Sequence, residues 1–162
     1  MTSENAVFLL DTNVWVDNYL GYRPHSSAAN ALITSVLDQN ATLAYAATSL
    51  KDVFYLIASE SKRMTRQTSG TLTEEQARAC LSFAWGCIDN MTEIAIAVPV
   101  AEPQIFLARH YRGLHTDFED DLVLAAVETS AADYFVTNDS HLLGKCSSPA
   151  FTCVDMLAYL ER

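Results

Sequence analysis

The chain has 162 residues, half of them hydrophobic, and carries a net charge of −10. That size suits one domain, residues 1–162, with enough apolar material for a real core, which excludes disorder and a pure interaction tail. Its apolar runs are too short to cross a bilayer and no basic-then-apolar leader opens the chain, so the reading is a cytoplasmic protein with no membrane partner.

The first strand is expected over Ala6–Leu10, short and apolar as buried parallel strands are, and it closes on Asp11. Thr12 and Asn13 turn the chain into an amphipathic stretch, Val14–Leu20, which Gly21-Tyr22-Arg23-Pro24 breaks. Pro24 suits the start of a helix to about Asp38. Ala41–Ala46 reads as a second strand, and Ser49 is placed to cap a helix over Leu50–Ser61. Residues Lys62–Leu72 are polar, contain Gly70 and lack periodicity, which predicts a loop or a mobile helix end.

Thr73 with Gln76 has the capping-box spacing for a helix to about Asp89, and Glu93–Val98 is a third strand. Pro103 opens a helix over Gln104–Arg112 that Gly113 ends. Thr116 with Glu119 forms a second capping box ahead of a helix over Phe118–Thr129. Tyr134–Thr137 and Phe151–Val154 are the fourth and fifth strands, and Met156–Glu161 is the last helix. Trp15 and Trp85 fall on apolar helix faces and are expected in the core. Cys80, Cys87, Cys146 and Cys153 lack metal or disulfide-framework spacing and read as reduced thiols, the first two on one helix face. Strands alternating with helices imply right-handed crossovers and a parallel sheet covered on both faces, which binds ligands at the carboxyl ends of its strands.

Acidic residues recur where those strand ends fall: Asp11 after the first strand, Asp52 after the second, Asp120 in the run Asp117-Phe118-Glu119-Asp120-Asp121, and Asp139 after the fourth. Each has a local explanation, since Asp is a good helix cap and acids in a first helical turn interact well with the macrodipole. Four acids in five positions more than satisfy a dipole, however, and carboxylates brought together repel unless a hard cation sits among them. Asp120 rather than Asp121 faces the strand-end edge if Leu122, Val123 and Ala126 set the buried stripe; the spacing alone leaves both open. No Gly-rich phosphate loop, nucleophile elbow or paired Cys and His signature is present. The net charge disfavours tight, nonspecific binding of nucleic acid but leaves room for cutting a positioned strand. The basic residues gather locally at Lys62, Arg63, Arg66 and Arg78, and again at Arg109 and Arg112.

Leu9-Leu10-Asp11-Thr12-Asn13-Val14, Thr48-Ser49-Leu50-Lys51-Asp52-Val53-Phe54-Tyr55, Asp117-Phe118-Glu119-Asp120 and Val136-Thr137-Asn138-Asp139 resemble, in order, the successive motifs of PIN domains. The resemblance spans essentially the whole chain and is nearest a bacterial branch with an Asp-Phe-Glu-Asp motif, the VapC-like toxins of toxin–antitoxin pairs. It implies a three-layer α/β/α fold with a central, mostly parallel sheet of about five strands and endoribonuclease chemistry with Mg²⁺ or Mn²⁺. By position, Asp11, Asp52, Asp120 and Asp139 would be the catalytic quartet, with Asp11, Asp120 and Asp139 on the metal. Asn13, Thr137 and Asp117 would be supporting residues. The implied partners are an RNA substrate, an antitoxin protein and a second copy of the chain in a homodimer. Asp52 stands where many PIN domains carry Glu, and its shorter side chain reaches less far.

Overall fold

In the computed structural model, residues 5–113 and 117–161 are described. Five parallel strands form one sheet in the order β3-β2-β1-β4-β5. The strands are β1 (Val7–Leu10), β2 (Thr42–Ala46), β3 (Ala95–Val98), β4 (Tyr134–Val136) and β5 (Ala150–Phe151). Register is fixed by Leu9↔Ala44 between β1 and β2 and Leu9↔Phe135 between β1 and β4. β1 is the central strand, and its end is flanked by the ends of both neighbours. That places Asp11, at the carboxyl end of β1, between the ends of β2 and β4.

The helices are α1 (Thr12–Tyr19), α2 (Ser26–Asp38), α3 (Ser49–Ser69), α4 (Glu74–Ile94), α5 (Glu102–Tyr111), α6 (Phe118–Thr129) and α7 (Cys153–Leu160). Strand side chains alternate between two apolar layers, as the two-residue period requires. Phe8, Leu10, Leu43 and Tyr45 point into a core shared with α1, α2, α3, α4 and α7, which also buries Trp15, Ile57, Met91 and Met156. Leu9, Ala44, Ala46 and Phe135 point the other way, against Val123, Leu124 and Val127 of α6. Helices therefore cover both faces of the sheet, and the three-layer α/β/α arrangement follows.

Several boundaries differ from the sequence expectations. α3 runs on to Ser69 instead of stopping near Ser61. Its second half is held by an Arg63–Glu60 ion pair at 2.7 Å and by its packing along α4, where Thr65 Oγ1 meets Cys80 Sγ at 3.6 Å. Polar residues of good helix propensity carry that extension, so an apolar period does not reveal it. Gly70 ends it at φ 74, the left-handed conformation that favours glycine, with its N–H donating to Arg66 O.

Thr48, not Ser49, occupies the N-cap of α3; Ser49 lies inside the first turn. α4 extends to Ile94, so β3 begins at Ala95. Its capping box between Thr73 and Gln76 is present as expected. The capping box expected from Thr116 falls outside the described residues; Asp117 caps α6, its Oδ1 accepting from Glu119 N at 2.9 Å. The fifth strand is shorter than expected because Thr152 caps α7 and starts the helix at Cys153. Trp15 is fully buried, but Trp85 is 58% exposed: its side of α4 faces a groove and not the sheet. All four cysteines are free thiols. Among the described residues no helix is long and apolar enough to cross a membrane.

Candidate active site at the carboxyl edge of the sheet

Asp11 sits where β1 passes into α1, and its side chain is buried although it is an acid, with only 3% exposure. Its N–H still pairs with Val136 O of β4 at 2.9 Å, so the sheet continues one residue past the strand. Although Asp11 occupies the N-cap of α1, its carboxylate makes no capping hydrogen bond to that helix. Instead Thr137, the residue after β4, donates its hydroxyl to Asp11 Oδ2 at 2.8 Å. The same Thr137 oxygen accepts from Asp139 N at 3.0 Å, so one buried hydroxyl joins the ends of the two strands.

Burial is the main reason that the Asp11 carboxyl is pushed up, from 3.8 to about 6. The Thr137 hydroxyl and the Thr12 backbone pull it down, and the negative charges of Asp120 and Asp139 push it up further. Two of the other predicted acids therefore act on Asp11 at this edge. Asp120 is the one whose charge acts on Asp11, while Asp121 is 3% exposed and its charge acts on Tyr111 of α5.

Asp52 takes part in a second group. It lies in the first turn of α3, where Lys51 Nζ stands 3.3 Å from its Oδ1. The α1 and α3 starts are tied together by Thr12 Oγ1 donating to Ser49 Oγ at 2.9 Å. Glu119 of α6 faces Asp52, and its carboxyl is raised to about 7, first by burial, then by the hydrogen bond and charge of Asp52, with Asp117 adding repulsion and Lys51 opposing it. Glu119 is the residue that sequence reasoning left out. The signal for it is the crowding of acids after Thr116, which the motif order assigns to Asp120 alone. Asp117, predicted as a supporting residue, spends its side chain on the α6 cap.

A cleft of about 220 Å³ opens at the same edge, lined by Asn13, Asp17, Arg23, His25, Asn138 and Asp139. Asn13 is exposed on its wall. Asp139 Oδ1 accepts from His141 N at 2.8 Å, the turn-capping role that its position also suggested. Asp17 is buried and bridges to Arg23 at 2.5 Å and to Asn138 Nδ2 at 3.3 Å, a structural pair that no motif or spacing foreshadows. Asn138 in turn accepts from Cys153 N at 3.2 Å, fixing α7 against the cleft.

The carboxylates at this edge offer oxygen and negative charge, and the most buried of them, Asp11, is raised first by burial and then by Asp120 and Asp139, which suits a hard divalent cation. Among the described residues, no three His, Cys, Asp or Glu side chains converge closely enough to enclose an ion by themselves. A cation held there would keep waters in its coordination sphere, as Mg²⁺ does when only one or two carboxylates bind it.

Fold and site together define a parallel α/β protein with an acidic cleft on the carboxyl edge of its sheet, at the centre of the strand order. The model of the PIN domain family matches residues 7–141, and the chain belongs to that family. A search of curated protein sequences finds no match. Solved structures of similar fold include VapBC2 of Rickettsia felis bound to a DNA fragment from its promoter, with TM-score 0.64 and 15% identity over 90% of this chain and 98% of that one. VapC20 of Mycobacterium tuberculosis, a toxin that cleaves the sarcin–ricin loop, gives 0.60 and 11% over 83% and 92%. PAE2754 of Pyrobaculum aerophilum gives 0.62 and 16% over 96% of each chain. At these identities the likeness is one of fold.

Proposed function

We propose that this protein is a Mg²⁺- or Mn²⁺-dependent endoribonuclease, the toxin of a toxin–antitoxin pair. The observation that carries the reading is Asp11: a buried carboxylate raised to about 6 whose charged neighbours, Asp120 and Asp139, are both acidic. Leaving a carboxylate in that position without a cation is costly, and a divalent ion is the partner that reverses the cost. Membership of the PIN family and the fold shared with VapC20, a toxin that cleaves the sarcin–ricin loop, support nuclease chemistry.

In this reading Asp11, Asp120 and Asp139 hold the ion, in part through its coordinated waters, and Asp52 completes the catalytic quartet. A bound divalent cation supplies a water of lowered pKa and stabilises charge on the scissile phosphate. Thr137 orients Asp11 and, through Asp139 N, the turn after β4. Asn13 offers an amide on the cleft wall to a phosphate oxygen or a water. Glu119 and Asp52 hold a second negative site beside Lys51, and Asp117 keeps the start of α6 in register with it.

The test is cleavage of a structured RNA by the wild type in Mn²⁺. Loss of cleavage both in chelator and in Asp11→Asn is the expected result; full activity in Asp11→Asn sinks the mechanism.

A second reading, an interaction protein without catalysis, has an observation of its own. Between α3 and α4 lies an apolar groove of about 360 Å³ lined by Leu50, Lys51, Phe54, Tyr55, Trp85 and Ile88. Tyr55 and Trp85 are exposed there, as an interface with an antitoxin or with a second copy in a homodimer requires. Stable metal-independent assembly with no cleavage of any RNA would favour it.

A further inference from the structure

The cations of this acidic chain are not spread evenly in their pairing. Arg23, Lys51, Arg63 and Arg78 each bridge to an acid of the chain itself. Lys62, Arg66, Arg109, Arg112 and Lys145 form no ion pair among the described residues, and of these Arg109 and Arg112 stand together around a pocket of about 320 Å³. Its other linings are Phe106 and His110, and no carboxylate among the described residues lines it. Phe106 is 59% exposed, and its ring lies 4.4 Å from the His110 ring, centroid to centroid, with the planes tilted by 47°. His110 Nδ1 is 3.0 Å from Phe106 O, which fixes the imidazole against the helix.

Cations in a last helical turn interact well with the macrodipole, and that accounts for Arg109 near the end of α5. It does not account for an aromatic ring left facing solvent among them. An accessible ring edged by unpaired guanidiniums is the combination that holds single-stranded nucleic acid, the ring stacking a base and the cations taking the adjoining phosphates. The pocket also lies close in the chain to the start of α6, whose first turn carries Asp120. Arg112 is five residues before Asp117, so their Cα atoms are at most ~18 Å apart, a span of a few nucleotides.

We propose that Phe106, Arg109, His110 and Arg112 form a nucleotide-binding subsite for a single-stranded flank of the RNA, outside the acidic cleft. This deepens the endoribonuclease reading and rests on it. The subsite explains how a protein of net charge −10 engages a polyanion: affinity comes from one local basic pocket, while the bulk of the surface repels strands bound elsewhere. Arg109 and Arg112 neutralise phosphates, and Phe106 stacks a base with little regard to its identity, because every base offers a π-face.

The experiment uses the full chain carrying Asp11→Asn to prevent cleavage, with a fluorescent single-stranded RNA followed by anisotropy across a salt series. Arg109→Ala combined with Arg112→Ala is expected to weaken binding about tenfold or more and to flatten the log–log salt dependence by roughly 0.7 for each phosphate no longer neutralised. Phe106→Ala is expected to weaken binding about fivefold or more with the salt slope unchanged, since stacking releases no counterions. The pair Lys62→Ala with Arg66→Ala removes the same charge from α3 and is expected to leave affinity within about twofold.

Equal losses in the two charge-matched pairs, or unchanged binding in the Arg109/Arg112 pair, overturn the subsite, as does displacement of the RNA by poly-glutamate as effectively as by unlabelled RNA. Because the surface residues concerned contribute no core packing, unchanged thermal unfolding separates these outcomes from misfolding. Cleavage by the wild type in Mn²⁺ is scored separately: cleavage with no effect of these variants sinks the subsite alone, and binding without cleavage sinks the nuclease reading alone.

Discussion

Thr137 Oγ1 donates to Asp11 Oδ2 at 2.8 Å and accepts from Asp139 N at 3.0 Å. One hydroxyl, fully buried, thus couples the ends of β1 and β4 and sets the geometry of two of the candidate acids. Replacing it with the isosteric Thr137→Val leaves a buried carboxylate and a backbone N–H without their partner. We expect a loss of about 1–3 kcal/mol, read from urea unfolding. Thr137→Ser should recover most of it. An unchanged midpoint in Thr137→Val would mean that water replaces the hydroxyl at no cost.

The raised Asp11 carboxyl makes a metal-free prediction about pH. Its folded value of about 6 lies above its ordinary 3.8, so between those values the native state binds more protons than the unfolded chain. Stability in chelator therefore falls as pH rises through that window, and the contribution lost is roughly 3 kcal/mol by pH 7. Asp11→Asn cannot ionise and should abolish that part of the slope, leaving the variant more heat-stable than wild type in EDTA at pH 8. Parallel pH–stability curves for the two proteins would contradict the assignment.

Divalent metal should stabilise the wild type by mass action, since the unfolded chain does not assemble the site. With metal at a hundredfold excess over its dissociation constant the gain is about 2.7 kcal/mol, or roughly 5–10 °C in Tm. Asp120→Asn, which removes one of the acids that act on Asp11, should lose most of the shift measured with Mn²⁺ or Mg²⁺. A full shift retained in Asp120→Asn would place the ion elsewhere.

Asp17 is buried against Arg23, whose own side chain is partly exposed. Arg23→Ala leaves the carboxylate, among the described residues, with the Asn138 amide as its hydrogen-bond partner. The expected cost is about 1.5–3 kcal/mol, typical of losing a hydrogen bond to a charged group. Asp17→Asn combined with Arg23→Ala should be milder than Arg23→Ala alone, because no charge is then stranded. Thermal unfolding of the single and double variants decides it.

The alternation of strands and helices was legible in the sequence because it depends on local signals: short apolar runs, caps such as Thr73 with Gln76, and breaks such as Gly21-Tyr22-Arg23-Pro24. Once the strands are parallel, their carboxyl ends lie on one edge, so the placement of Asp11 and Asp139 at that edge follows from their positions just past β1 and β4. The Asp-Thr-Asn and Thr-Asn-Asp motifs are legible for the same reason, since each is a strand end and the turn that leaves it.

What only the tertiary structure decided are distances between segments that no local pattern constrains. It set Asp120 and Asp139 against Asp11, gave Asp52 to Glu119, and turned Trp85 outward into a groove. It extended α3 through a polar stretch by packing it on α4, and it left Arg109 and Arg112 unpaired around one pocket among the described residues. Charge repulsion, desolvation and packing act through space, so their outcome appears only when the chain has closed.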